Sequence, residues 1–202
     1  MTSTNLMKLC FATNNEHKLA EAKDISGKEF EILSLREINC FEELPETRPT
    51  LEGNSLQKAE YVFRKYNIPC FADDTGLEVE ALHGEPGVFS ARYAGEHKNS
   101  KDNIDLLLKK LSTETNRKAR FRTVITLLGL ETTPVCFEGM VEGIITKELK
   151  GTFGFGYDPV FIPEGYSKSF AEMTLQEKSL LSHRAIAVKK LGQYLKDRAV
   201  PR

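Results

Sequence analysis

Two consecutive carboxylates stand in the segment Cys70-Phe71-Ala72-Asp73-Asp74-Thr75-Gly76-Leu77. The apolar run before Asp73 predicts a strand that ends in a tight turn, with a second strand beginning after it. Adjacent carboxylates repel each other, so a fold keeps such a pair most readily where a cation, usually a divalent metal, lies between it and a ligand. A solvated Asp-Asp turn on the surface is the alternative interpretation.

Helix-like and strand-like patterns alternate along the chain and predict an α/β fold. Two strand-like runs, residues 119–130 and 135–146, flank a turn and predict an antiparallel hairpin, so the sheet is expected to be mixed. Residues 50–67 are expected to form a helix, with Asn54 and Lys58 on the side opposite its core-facing stripe. That stripe consists of Leu56, Ala59, Phe63 and Tyr66. A second amphipathic helix is expected over Ile104, Leu107, Leu108 and Leu111, with Ser100 as its N-cap.

Near the N-terminus, the polar segment Thr13-Asn14-Asn15-Glu16-His17-Lys18 separates a strand-like run from a helix start. Backbone N–H groups at a helix N-terminus favour an anion, and Lys18 in the first turn would add a full positive charge. The segment is therefore a candidate phosphate site, although it lacks the glycines of the common phosphate-binding loops. An ordinary capped helix is the alternative.

Two further segments combine glycine, aromatic and basic residues. The first, residues 151–159, places Gly151, Gly154 and Gly156 around aromatic side chains that are expected to be exposed, as the stacking of a heterocyclic base requires, or as an ordinary hairpin corner would. The second, residues 177–184, brings cations and a histidine to the start of a helix that Ser182 could cap. Cations in an exposed first turn oppose the helix dipole, which points to an anionic or carbonyl-bearing ligand or to solvated surface charge.

Length and composition suit one domain or two tightly joined lobes, with 202 residues, 40% hydrophobic content and a net charge of −1. This charge gives no reason to expect a nucleic-acid partner, and no apolar run approaches the length of a membrane span. Met1-Thr2-Ser3-Thr4-Asn5 does not resemble a signal peptide, so a cytoplasmic location is expected. The cysteines have no paired spacing, and buried reduced thiols are expected for at least three of them.

Five ordered blocks of this sequence resemble the inosine triphosphate pyrophosphatase family over residues 7–195. The resemblance implies a mixed α/β fold with two lobes flanking a long central cleft, and a homodimer. It also implies Mg²⁺-dependent hydrolysis of deaminated purine nucleoside triphosphates such as ITP, dITP and XTP to the monophosphate and pyrophosphate. The blocks are residues 13–18, 71–77, 86–93, 155–159 and 177–184.

Matching positions in these blocks imply roles for individual residues. Asp74 matches the catalytic carboxylate, and Glu46 and Asp73 are the other acids expected at the metal. The substrate-binding residues implied are Thr13, Asn14, Asn15, Glu16, His17, Lys18, Lys58, Thr75, Phe155, Gly156, Tyr157, Asp158, Lys178, His183 and Arg184. Lys18 and Lys58 match triphosphate-binding lysines, and residues 155–158 match the base pocket. Lys178, His183 and Arg184 match the residues that face the six-position of the purine.

The chemistry of the proposed substrate agrees with these roles. A triphosphate carries about four negative charges, so its α-phosphate resists attack by water until a metal and lysines mask that charge. Lys178 and Arg184 can only donate hydrogen bonds, which suits a six-oxo purine and disfavours the six-amino group of adenine. Two alternatives remain: a Maf-type pyrophosphatase for pyrimidine or modified triphosphates, and a nucleotide-binding protein without turnover. The three acids favour turnover, because phosphate binding alone needs cations.

Two positions depart from the pattern of the family. Gly53 stands where family members often carry Glu, and Phe153 stands where a smaller residue is common. The first departure concerns a secondary acid near the metal, and the second concerns the entrance to the base pocket.

Overall fold

The computed structural model describes residues 7–27 and 30–199, so the expectation drawn from Met1–Asn5 lies outside the described residues. Within these ranges the chain forms seven strands and five α-helices. The strands are β1 Lys8–Phe11, β2 Glu31–Leu33, β3 Cys70–Val79, β4 Pro86–Gly87, β5 Lys118–Leu128, β6 Val135–Ile145 and β7 Phe161–Pro163. The helices are α1 Glu16–Ser26, α2 Leu51–Tyr66, α3 Ser100–Lys110, α4 Leu175–Leu181 and α5 His183–Ala199. No helix in the described part of the chain is long and apolar enough to span a membrane.

The strands form a seven-stranded sheet in the order β2-β1-β3-β5-β6-β7, with β4 paired to β3. Strand β1 is parallel to β2 and β3, whereas β3 pairs antiparallel with β4, and β6 antiparallel with β7. The prediction of a mixed α/β fold is therefore confirmed. The expected hairpin strands are confirmed as β5 and β6, which are neighbours in the sheet.

The chain divides into two compact units. Unit 1 contains residues 1–74, 124–138 and 184–202, and unit 2 contains residues 75–123 and 139–183. Strands β3, β5 and β6 each contribute residues to both units. In β3 the boundary between the two units falls directly after Asp74.

Unit 1 buries a separate apolar cluster on each face of its strands, because successive side chains of a strand point to opposite faces. One cluster contains Phe11 and Phe71, whose rings stack with centroids 4.5 Å apart, together with residues of α1 and α5. The other contains Cys10 and Cys70 together with residues of α2. Within β3, Asp73 therefore lies on the face covered by α1 and α5, and Asp74 lies on the face covered by α2.

Unit 2 has its own core, which packs α3 against β3, β5 and β7. Phe121 and Phe161 form the aromatic centre of this core, with ring centroids 4.7 Å apart in an edge contact. Burying each such side chain contributes about 1.5–3 kcal/mol relative to leaving it exposed.

The predicted turn after Asp74 is wrong. Strand β3 continues without interruption through both aspartates and ends at Val79. Gly76 has a different role from a turn residue, because a Cβ at this position would approach the carbonyl oxygen of Gly87 to 2.6 Å. The glycine therefore lets β4 pair closely with β3.

The predicted helix over residues 50–67 is confirmed as α2, which Thr50 caps and Asn67 ends in a left-handed conformation. Its buried stripe differs from the predicted one, since Asn54 and Lys58 are buried beside Ala59. Asp74 on the facing strand β3 binds this polar part of the helix face, which the apolar pattern cannot show. The cap of α3 also differs, because Asn99 accepts the hydrogen bond expected of Ser100.

The expectation of buried reduced thiols is confirmed for Cys10, Cys40 and Cys70, while Cys136 is exposed. Burial raises the pKa of Cys10 and of Cys70 to about 12, so both stay protonated and behave as small apolar side chains.

Candidate active site

Asp73 is fully buried and holds two cations on its face of β3. Its Oδ1 accepts from Lys18 Nζ at 3.0 Å, and its Oδ2 accepts from Arg184 Nη2 at 3.1 Å. Burial by itself raises the pKa of Asp73, but the charges of Lys18 and Arg184 outweigh it and hold this pKa well below its usual range. Asp73 is therefore ionised at neutral pH.

Arg184 has a second carboxylate partner, Glu21 on α1, to which its Nη1 donates. Both side chains are buried. Burial alone lowers the pKa of Arg184, and the charges of Glu21 and Asp73 raise it above its usual value, so the guanidinium stays charged. The expected exposure of Arg184 in a first helical turn is wrong, because the carboxylates of Glu21 and Asp73 stabilise the buried guanidinium in place of hydration by water.

Asp74 lies on the other face of β3 and contacts residues of α2. Its Oδ2 accepts from Asn54 Nδ2 at 3.1 Å, and its Oδ1 is 3.8 Å from Lys58 Nζ. Burial raises the pKa of Asp74, and the nearby charge of Glu46 raises it further, against the opposing charges of Lys58 and Lys18. A carboxyl group with a raised pKa is a better proton acceptor than an ordinary aspartate.

Lys58 connects Asp74 to Glu46. Its ammonium lies 2.5 Å from Glu46 Oε1 and is almost completely buried. Burial lowers the pKa of Lys58, but the charges of Asp74 and Glu46 outweigh it, and the net shift is upward. The three side chains thus form a compact group of two carboxylates and one cation in unit 1.

The loop that carries Glu46 is fixed by amide side chains of α2. Gln57 accepts from Thr47 N at 3.0 Å and donates to Thr47 Oγ1 at 2.9 Å. Gly53 allows close packing here, because a Cβ at this position would meet Arg48 Cβ at 2.7 Å. The departure at Gly53 is therefore explained by packing against Arg48.

The start of α1 is a capped helix N-terminus. The side chain of Asn15 accepts from the backbone N–H groups of His17 and Lys18. Asn14 holds the neighbouring loop, since it donates to the carbonyl of Glu42 at 3.0 Å and accepts from Leu44 N at 3.0 Å. Thr13 Oγ1 accepts from the backbone N–H of Asn15, while Glu16 and His17 are exposed.

A second polar group lies in unit 2. Lys178 on α4 donates to Asp158 Oδ2 at 2.7 Å, and both side chains are buried. The Lys178 ammonium also lies 5.0 Å from the ring centroid of Phe155, within range of a cation–π interaction. The backbone of Phe155 donates to the same Asp158 oxygen at 2.8 Å.

Glycines permit this arrangement. A Cβ on Gly154 would meet Asp158 Oδ2 at 2.1 Å, and the positive φ of Gly154 and Gly156 is unfavourable for other residues. Phe153 in the same loop is exposed. The glycines of this segment thus bring a carboxylate close to the backbone.

Three other residues of unit 2 that were predicted to bind substrate contact neighbouring side chains or backbone. Tyr157 is buried in the core and donates to the carbonyl of Ser90 at 2.9 Å, which contradicts its expected exposure. His183 is buried and stacks on Phe121 with ring centroids 4.6 Å apart. Thr75 contacts Thr123 through their hydroxyl groups at 2.7 Å.

Glu46 and Asp74 both face the ammonium of Lys58, so their carboxylates lie around the same positive charge. Carboxylate oxygens are also the ligands that a hard divalent cation prefers, so this pair fits such an ion. Among the described residues, no group of three His, Cys, Asp or Glu side chains is arranged to hold a metal. Mg²⁺ typically binds one or two carboxylates together with substrate phosphates and water, so two protein ligands suffice. Asp73 does not join them, because it faces the other side of β3.

Sequence reasoning missed two residues of this site, Glu21 and Asn54. Glu21 lies three positions after Lys18 on α1, and Asn54 lies four positions before Lys58 on α2, so each shares a helix face with a predicted phosphate-binding lysine. That spacing is the signal by which both could have been found.

Comparisons with known proteins agree with this architecture. The model of the Ham1 family matches residues 9–194. A dITP/XTP pyrophosphatase of Flavobacterium johnsoniae is 55% identical, covering 92% of this chain and 96% of its own. One of Porphyromonas gingivalis is 56% identical, covering 93% and 97%. The solved Ham1 structure of Staphylococcus aureus has a TM-score of 0.84 at 37% identity, covering 95% of this chain and 99% of its own. That of Coxiella burnetii has a TM-score of 0.85 at 33% identity, covering 95% and 100%.

Proposed function

This chain belongs to the Ham1 family, and we propose that it hydrolyses ITP, dITP and XTP to the nucleoside monophosphate and pyrophosphate. The relatives named dITP/XTP pyrophosphatase match nearly the whole chain and support this substrate class. The observation that carries the proposal is the contact of Lys58 with both Asp74 and Glu46. It joins a proposed proton acceptor, a buried cation and a half-buried second carboxylate in one group, and hydrolysis of a phosphate anhydride uses side chains of these kinds.

The reaction assigned to this group is attack by water on the α-phosphate. Asp74 orients the water and accepts its proton. The bond between the α-phosphorus and the bridging oxygen breaks, and pyrophosphate leaves with that oxygen. Lys18 and Lys58 contribute positive charge to the triphosphate, and no covalent intermediate is needed because water is the nucleophile.

A divalent metal, Mg²⁺ by preference, belongs to this proposal. The charged group in unit 1 contains the carboxylates Glu21, Glu46, Asp73 and Asp74 against the cations Lys18, Lys58 and Arg184. The carboxylates outnumber the cations, so these side chains cannot balance a triphosphate of about four negative charges. Glu46 and Asp74 would hold the ion. When bound, it would neutralise phosphate charge and stabilise the charge that develops in the transition state.

Selection of the base is assigned to unit 2. Lys178 can only donate hydrogen bonds, so it suits the six-oxo group of hypoxanthine or xanthine and offers no acceptor to the six-amino group of adenine. Asp158 fixes the ammonium of Lys178, and Phe155 supplies an aromatic surface beside it. His183 is the second candidate from the same segment. A base-reading role for Arg184 remains a prediction from the resemblance, because its described partners are Glu21 and Asp73.

The homodimer and the cytoplasmic location implied by the resemblance also belong to this proposal. A small-molecule triphosphate is the partner that the charged groups support. The net charge of −1 gives no reason to add a nucleic acid.

The test is an assay of pyrophosphate release from ITP, XTP, GTP, ATP and UTP, with Mg²⁺ and with a chelator. We expect metal-dependent turnover of ITP and XTP at a specificity constant at least about 10²-fold above that for ATP. Preference for UTP would indicate a pyrimidine or modified-nucleotide enzyme. Tight binding of ITP without pyrophosphate release would indicate a binding protein.

A further inference from the structure

The side-chain amide of Asn54 connects Asp74 to the loop that carries Glu46. Asn54 is 1% exposed and lies on α2, one turn before Lys58. Its Nδ2 donates to Asp74 Oδ2 at 3.1 Å, and its Oδ1 accepts from Arg48 N at 2.8 Å. A single buried side chain therefore contacts the proposed catalytic carboxylate and the backbone two residues after Glu46.

The orientation of this amide follows from its partners. A backbone N–H can only donate, so the Asn54 oxygen must face Arg48, and the NH₂ group must then face Asp74. A carboxylate can only accept, so this assignment satisfies both partners. The reverse orientation would place two donors together at Arg48 and two acceptors together at Asp74.

Asn54 thereby fixes the rotation of the Asp74 carboxylate. With Oδ2 bound to the Asn54 amide, Oδ1 is turned toward Lys58, which in turn contacts Glu46. The donor is neutral, so it orients the carboxylate without adding a charge that would compete with Lys58. A misplacement of about 1 Å can cost about 10²-fold in rate, so such a fixed orientation matters for a proton acceptor.

We propose that Asn54 is a positioning residue that sets the orientation of Asp74 for proton transfer and ties Asp74 to the Glu46 loop. This inference rests on the proposed function for the identity of the reaction. The orientation of the Asp74 carboxylate by Asn54 does not depend on the identity of the reaction, and it can be tested without a substrate.

Two substitutions of Asn54 separate its two hydrogen bonds. Asn54→Asp keeps an acceptor for Arg48 N but replaces the donor by an oxygen facing Asp74, whereas Asn54→Leu removes both bonds at similar size. We expect each variant to lower kcat for ITP by at least about 30-fold, with KM within about 3-fold of wild type. A merely structural role would instead lower the active fraction and Tm, with the residual molecules turning over normally.

Gln57 provides the matched control, because it holds the same loop through Thr47. Gln57→Leu removes the two hydrogen bonds of Gln57 to Thr47 and leaves both hydrogen bonds of Asn54, to Arg48 N and to Asp74, in place. We expect it to lower kcat by less than about 3-fold. If Gln57→Leu lowers kcat as much as Asn54→Leu, or if folded Asn54→Asp turns over within about 3-fold of wild type, the proposal is wrong.

Crystal structures of wild type and Asn54→Leu supply the readout that needs no turnover. We expect the Asp74 carboxylate to rotate away from its wild-type position in the variant, and an unchanged rotamer would overturn the positioning role. Wild-type protein that fails to release pyrophosphate from ITP would refute the proposed function, while the crystal comparison would still decide the role of Asn54. If Asn54→Asp does not fold, the Leu variant and the Gln57 control remain decisive.

Discussion

Asp73 and Asp74 are adjacent in β3, but their carboxylates are bound by different helices on opposite faces of the strand. Asp73 contacts Lys18 of α1 and Arg184 of α5, and Asp74 contacts Asn54 of α2. Their pKa values shift in opposite directions, downward for Asp73 and upward for Asp74. Two neighbouring carboxyl groups with separated pKa values can have two roles, and here we assign Asp73 as a counter-ion and propose Asp74 as the proton acceptor.

Replacing the proton acceptor tests the central assignment. We expect Asp74→Asn to lower kcat for ITP by at least about 10²-fold, because the amide cannot accept the proton of the attacking water. Pyrophosphate release at saturating Mg²⁺ measures this, with the thermal melt as the check on folding. Near-wild-type turnover by the folded variant would remove Asp74 from the reaction.

Loss of the buried lysine should affect every triphosphate alike. Lys58 contacts Glu46 and Asp74, and the base is assigned to unit 2. We therefore expect Lys58→Met to lower kcat/KM for ITP and ATP by the same factor, so that their ratio stays within about 3-fold of wild type. A change confined to ITP would contradict the assignment of Lys58 to the phosphates.

The opposite pattern is expected for Lys178. If its ammonium donates to the six-oxo group, Lys178→Met should lower kcat/KM for ITP by a factor equivalent to about 2–3 kcal/mol of transition-state stabilisation. The loss for ATP should be much smaller. The matched control is Lys168→Met, since Lys168 is an exposed lysine of the same unit that pairs with Glu177. An ITP-to-ATP ratio that stays at the wild-type value in Lys178→Met would exclude this base-reading role.

Removal of Arg184 should destabilise unit 1. The substitution Arg184→Ala leaves the buried carboxylates Glu21 and Asp73 facing each other without their shared cation. Breaking a buried ion pair in this way costs about 3–5 kcal/mol, measurable by urea unfolding. Under conditions where the variant is folded, we expect kcat/KM to fall for ITP and ATP together. A collapse of the ITP-to-ATP ratio would instead support the base contact implied by the resemblance.

The lowered pKa of Asp73 predicts a specific pH dependence of stability. A carboxyl group with a depressed pKa in the folded state stabilises the protein above its unfolded value, about 3.9, and loses this contribution as the pH falls through the folded value. The difference in free energy of unfolding between wild type and Asp73→Asn should therefore be constant above about pH 5 and shrink below about pH 4. A difference that grows on acidification would show that the sign of the shift is wrong.

The family and several of the helices and strands could be predicted from the sequence alone. Apolar periodicity located α2, β5 and β6 to within a few residues, because a helix or strand buries one face and the pattern of that face is written along the chain. The ordered blocks identified a family that the comparisons confirmed. The candidate residues came from those blocks, and the roles carried over for them remain proposals.

The contacts among those residues follow from the tertiary structure and could not be predicted from local sequence patterns. Arg184 contacts Glu21 across 163 positions of the chain and Asp73 across 111 positions, and no local pattern encodes such pairs. The burial of Asn54 and Lys58 likewise contradicts the predicted apolar stripe. Polar side chains can be buried where they pair with a charged group, which here is Asp74 on the facing strand β3. Periodicity tells which side chains share a face, whereas the packing of helices on the sheet determines what that face contacts.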